Sequence, residues 1–139
     1  MRIICLDIGE KRIGIAVSDP LGITAQGAGV LTRKNIEDDI NGIKGYVDEY
    51  KADSMVVGMP FNLDGTKAKS AQKVTEFVEA LSSFLKIPIA TYDERLSTKE
   101  SEKFLISSDV SRKKRKRVID IIAAQLILQS YLDGLKKNV

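Results

Sequence analysis

Arg2-Ile3-Ile4-Cys5-Leu6-Asp7-Ile8-Gly9 is the stretch on which the fold turns. Both of its alternate sets are apolar, Ile3 and Cys5 on one and Ile4, Leu6 and Ile8 on the other, so as a strand it needs cover on both faces. A strand covered twice belongs in the middle of a sheet that carries helices on either side. Asp7 is out of place there, because an ionised carboxylate among apolar neighbours is costly unless a cation or hydrogen-bond donors compensate it. The ordinary alternative is that Asp7 serves the turn at Gly9 by accepting backbone N–H groups.

Outward from this strand, Ile13 to Val17 and Gly27 to Thr32 are short apolar runs joined by hairpin-length connections, which predicts an antiparallel meander. From residue 35 the period changes. Ile36, Ile40, Ile43, Val47 and Tyr50 recur at helical spacing behind Asn35, a good N-cap, despite Gly42 and Gly45. Ser54 to Met59 reads as a buried strand, Asn62-Leu63-Asp64-Gly65 as a turn, and about Thr66 to Leu85 as a helix with Ala71, Val74, Val78, Leu81 and Leu85 on one face. Ile87 to Tyr92 is a further strand, with Pro88 near its start where a missing donor is tolerated. Ser97-Thr98-Lys99-Glu100 is a capping box that opens a helix to about Ile106. Residues 107–117 read as a mobile basic loop, and a last helix runs from about Val118 to Lys136. The expectation is one domain over residues 1–139, a mixed α/β sheet with helices on both faces.

The composition, 43% hydrophobic and 29% charged residues over 139 positions, is that of a globular chain and excludes wholesale disorder. Cys5 has no partner for a disulfide, which suits a reducing cytoplasmic setting. No small-residue cleavage site follows the first strand, and Val118 to Leu128 is short for a bilayer and carries Asp120 and Gln125, so no targeting or membrane segment is read. The chain has no histidine, which removes the commonest general base, the usual zinc ligand and every histidine-dependent nucleophile system. Catalysis must then rest on carboxylates, lysine or metal. Net charge is +3, yet Arg112, Lys113, Lys114, Arg115, Lys116 and Arg117 are all basic, so the rest of the chain is net acidic and the positive charge is local. Six adjacent like charges are better explained by a polyanion partner than by a solvated loop.

Two further acids stand out. At helical spacing Asp120 falls with Ala123, Ala124, Ile127 and Tyr131, while Gln125, Gln129 and Asp133 gather on the other side, so an acid lies on the core-facing stripe. Its place in a first helical turn is favoured by the macrodipole, but that does not explain the choice of face. In Asp93-Glu94-Arg95, beyond a strand's carboxyl end, either acid could meet Asp7, because ligands of open α/β sheets gather there. Three acids and a basic segment suit a hard divalent cation with carboxylate and water ligands.

These residues resemble the YqgF/RuvX family, described as pre-16S rRNA nucleases and as Holliday junction resolvase-like proteins, of the ribonuclease H-like superfamily. The resemblance runs through Leu6-Asp7-Ile8-Gly9, Arg12-Ile13-Gly14, Ala16-Val17-Ser18-Asp19, Val56 to Pro60, Asp64-Gly65-Thr66, Asp93 to Thr98, and Asp120 with Ala123-Ala124 and Ile127-Leu128. It implies a ribonuclease H-like, five-stranded sheet of order 3-2-1-4-5, and it selects Glu94 to join Asp7 and Asp120 as catalytic acids and ligands of Mg²⁺ or Mn²⁺. Resolvase relatives carry a fourth acid where this chain has Ala123, which implies at most one metal in the resting protein and a second arriving with substrate phosphate. The basic run would track a phosphate backbone, with Arg95 either touching phosphate or in a structural ion pair.

The implied activity is hydrolysis of phosphodiester bonds in a structured RNA precursor, the 5′ end of pre-16S rRNA in the small ribosomal subunit precursor, by a monomer or homodimer. Cleavage of branched DNA, as by a Holliday junction resolvase, is the alternative, followed by a non-catalytic RNA-binding assembly module. Asp7-Ile8-Gly9 before a hairpin also resembles the first phosphate loop of actin-like ATPases, but those enclose nucleotide between two such domains. The loop Gly58 to Gly65 before a helix is a weak candidate for phosphate.

Overall fold

β1 (Ile3–Ile8) lies at the centre of a five-stranded sheet of order β3-β2-β1-β4-β5 in the computed structural model. The structure describes residues 2–61, 69–94 and 112–137. The expected turn at 62–65, Arg95, the helix opened by Ser97 and residues 107–111 lie outside the described residues. β2 (Arg12–Ser18) runs antiparallel to β1 and to β3 (Ala25–Thr32), whereas β4 (Ser54–Met59) and β5 (Ile89–Asp93) follow parallel on the other side. α1 (Ile36–Tyr50) links β3 to β4, α2 (Lys69–Phe84) precedes β5, and α3 (Arg112–Lys137) ends the chain. The sheet order and the layered α/β class are as the resemblance implied.

The two apolar sets of β1 go to two separate cores. Ile4 and Leu6, with Ile13, Ile15, Val57 and Met55 of the neighbouring strands, are buried under α1 and α2. Ile3 and Cys5, with Ala16 and Val56, are buried under Ala124, Ile127, Leu128 and Leu132 of α3. Each of these large side chains contributes roughly 1.5–3 kcal/mol by leaving water. A one-residue slip of β1 would exchange the two sets, so its register is fixed from both sides. Ser18 ends β2 as a buried hydroxyl whose Oγ accepts the Ile3 N–H at 2.8 Å.

Several details depart from the sequence reading. α3 begins at Arg112, so residues 112–117 of the expected basic loop are helical. Gln125 and Gln129 are not on an outward polar side. Gln129 Oε1 accepts the Ala25 N–H at 2.9 Å, and Gln125 Nε2 donates to the Ala25 carbonyl at 3.1 Å, so they serve backbone groups of the edge strand β3. In α1, Ile36 is exposed while Asp39 is 2% exposed, held by Arg33 Nε at 3.2 Å and by the Lys34 N–H at 2.9 Å. A pattern read on hydrophobicity alone cannot foresee a buried acid with a cation of its own. The stretch Lys116–Leu135 is long and apolar enough to cross a membrane by length and composition, more than the sequence reading allowed. Core helices pass the same test, and Ala123, Ala124, Ile127, Leu128 and Leu132 of this one are buried against the sheet.

Candidate functional site

Asp7 closes the α3-facing row of β1, in step with Ile3 and Cys5, and its cross-strand partner is Gly14 of β2. That glycine decides how near α3 comes. A Cβ at Gly14 would collide with the backbone carbonyl of Asp120, so the missing side chain lets the helix backbone rest on the strand beside Asp7. On the other flank of β1, a methyl at Gly58 of β4 would come 2.8 Å from Glu94 Oε2 and 2.8 Å from Ile127 Cδ1. Two glycines on the strands flanking β1 thus open the space in which an acid from the end of β1, one just beyond β5 and one from α3 gather.

Asp7 and Glu94 share a side-chain hydrogen bond. Burial, then the Glu94 charge, then Asp120, push the Asp7 carboxyl up to about 8. Glu94 is also raised, first by burial and then by Asp93, against the lowering effect of its bond to Asp7. Burial raises both carboxyls, so the hydrogen-bonded Asp7–Glu94 pair favours keeping a proton. Asp120 is engaged differently, with Oδ2 accepting from Arg12 Nε at 2.6 Å. Among the described residues, no three Asp, Glu or Cys side chains already close on one point as a metal cluster would. What the geometry brings together is a proton-sharing carboxyl pair with a third carboxylate alongside.

This donor set fits a hard divalent cation. The available oxygens are carboxylate oxygens, and a bound cation would take the place of the proton that the Asp7–Glu94 pair favours. Cys5 lies beneath the site, fully buried, and burial with the charges of Asp7 and Glu94 drives its thiol upward, so it is a packed apolar group and not a thiolate ligand.

Sequence reasoning singled out Asp7 and Asp120 by their unfavourable faces and Glu94 through the resemblance, and the structure brings the three near one another. It missed the roles of Arg12, Gly14 and Gly58. The glycines carried a signal as interior glycines of apolar strands, where close backbone approach is a standard cause. Of the six basic residues, Lys116 and Arg117 are exposed, one turn ahead of Asp120 on α3, and the others precede them on the same helix. Asp19 is structural: Oδ1 accepts the N–H groups of Ile23 at 2.6 Å and Thr24 at 2.8 Å, which lowers its carboxyl below the usual range. A cavity of about 760 Å³, lined by Ile8, Gly9, Arg33, Asp39, Ser70 and Lys73, lies on the α1 and α2 side and does not include the acids.

A family model described as RuvX, Holliday junction resolvase, matches residues 1–134. A protein of Halothermothrix orenii named as a candidate pre-16S rRNA nuclease is 52% identical over 137 residues, 99% of this chain and 98% of its own length. One of Clostridium tetani with the same name is 47% identical, covering 97% of this chain and 98% of its own. Among solved structures, Thermus thermophilus RuvC in complex with Holliday junction substrate aligns with a TM-score of 0.63 at 12% identity, covering 100% of this chain and 98% of that one. Fowlpox virus resolvase with Holliday junction DNA aligns with a TM-score of 0.61 at 15% identity, covering 97% and 99%. At those identities the structures establish the ribonuclease H-like fold, and the extent and identity of the sequence matches establish the rest: this chain belongs to the RuvX family.

Proposed function

We propose that this protein is a metal-dependent nuclease that hydrolyses phosphodiester bonds of pre-16S rRNA, with Asp7, Glu94 and Asp120 as its catalytic carboxylates. The observation that carries the site is the convergence of these acids, from β1, the end of β5 and α3, in the space left by Gly14 and Gly58. Membership of the RuvX family and the names of its relatives support nucleic-acid cleavage and favour the rRNA precursor. The description of the family favours branched DNA as the second candidate substrate.

A bound Mg²⁺ or Mn²⁺ supplies Lewis-acid stabilisation of the charge that develops on the phosphoryl oxygens. The chain's own residues do the remainder. Asp7, Glu94 and Asp120 would hold the ion, and Asp7 must first give up its proton, which favours assembly at higher pH. Asp7 on β1 and Asp120 on α3 stand on regular elements, where positions are held better than on loops, and Glu94 follows directly on the last residue of β5. Lys116 and Arg117, exposed on α3, would bind the phosphate backbone without reading sequence.

The test is incubation of the purified protein with a pre-16S rRNA fragment and with a four-way DNA junction, in Mg²⁺, Mn²⁺ or EDTA, beside Asp7→Asn. Metal-dependent cutting of the RNA that Asp7→Asn loses is the expected result. Cutting in EDTA or by the variant would refute the site, and cutting of the junction alone would transfer the activity to branched DNA.

A further inference from the structure

Arg12 opens β2 on the α3-facing row that continues through Gly14 and Ala16. Its Nε lies 2.6 Å from Asp120 Oδ2, and the two side chains are 28% and 22% exposed. The pair joins residues 108 positions apart beside the acids, and both side chains remain partly open to solvent. The contact uses Nε, one of the five N–H donors that a guanidinium carries in a fork suited to phosphate oxygens. Part-exposed ion pairs are weak enough to be exchanged for a better partner. A divalent cation shared by the three acids needs an oxygen of Asp120, and would meet a like charge already seated there.

On the reading of the acids as a metal site, on which this inference rests, we propose that Arg12 is the resident counter-cation of the metal-free centre: it competes with the divalent ion for Asp120 and, once displaced, binds a phosphate oxygen of the substrate. Metal binding then releases a phosphate ligand, so ion and nucleic acid strengthen each other's binding, and by linkage the effect is mutual.

Mn²⁺ titration by calorimetry, on the full chain as wild type, Arg12→Gln and Arg12→Lys, tests this. Arg12→Gln should bind Mn²⁺ roughly threefold to tenfold more tightly, with Arg12→Lys between it and wild type, the range expected when a part-exposed ion pair stops competing. Cleavage of the rRNA fragment should move the opposite way, with a raised KM in Arg12→Gln that Arg12→Lys partly restores. A merely structural role would weaken both metal binding and activity. Equal or weaker Mn²⁺ affinity in a folded Arg12→Gln protein overturns the inference while leaving the metal site standing. Absence of Mn²⁺ binding in wild type and both variants overturns the metal site and the inference together. Should Arg12→Gln fail to fold, Arg12→Lys decides, with affinity no tighter than wild type as the refuting result.

Discussion

Asp7 is stabilised in the metal-free fold by the proton it keeps. Its carboxyl is raised to about 8 against an ordinary value of 3.8, so between those pH values the native state binds a proton that the unfolded chain has released. Stability of the metal-free protein is therefore expected to fall as pH rises from about 4 to about 8. A thermal melt in EDTA at pH 5 and pH 8 measures this, and Asp7→Asn should flatten the dependence and melt higher than wild type at pH 8. The same variant should lose more than about a hundredfold in cleavage rate, since even the outer partners of metal ligands are worth 10–100-fold. Asp7 was legible in the sequence because its neighbours are apolar on both sides. Glu94 was not, for Asp93 and Glu94 are equivalent by pattern. What distinguishes Glu94 is its approach to Gly58 across the strands, a contact that no local periodicity carries.

At the scale of elements, the seating of α3 on β2 is the critical contact. Gly14→Ala would place a methyl against the Asp120 carbonyl and lift the helix from the sheet. A loss of about 1–3 kcal/mol or more in chemical denaturation is expected, with activity lost ahead of the fold. The first turn of α3 has no acid, and the sequence there is basic from Arg112 to Arg117, a composition that the positive end of a helix dipole disfavours. A phosphate partner would offset that charge. Replacing Lys116 and Arg117 by alanine should reduce the slope of log affinity against log salt by about 2 in a filter-binding series, without changing the metal requirement. The sequence showed this charge but placed it in a loop through Arg117, since dense like charge argues locally against helix. The apolar face that follows, Ala123 to Leu132, anchors the helix to the sheet and carries it back to Arg112.

For the whole molecule, the central place of β1 followed from its two apolar sets, and the alternation of helices and strands gave the layered class. The order of the outer strands came through the resemblance, because nothing in a strand's composition says which neighbour it pairs with. The Arg12–Asp120 contact was illegible for a similar reason: it joins the first hairpin to the last helix and exists only once the sheet is assembled. Since the candidate metal site likewise draws on elements from both ends of the chain, an ion bound there would stabilise the fold as a unit. Mn²⁺ at a hundred times its Kd should add about 2.7 kcal/mol and raise Tm by about 5–15 °C, measured by scanning calorimetry against an EDTA control, and Asp7→Asn should abolish the shift.

Cys5 gives this architecture a built-in clock. It is the chain's single thiol and is wholly enclosed between β1 and α3, so an alkylating reagent can reach it only when the helix parts from the sheet. The labelling rate then counts opening events of the native protein under the very surface that holds the acids. Divalent ions should slow that count and Gly14→Ala should quicken it, so the breathing of the face that holds the acids can be timed without substrate or mutation of the acids.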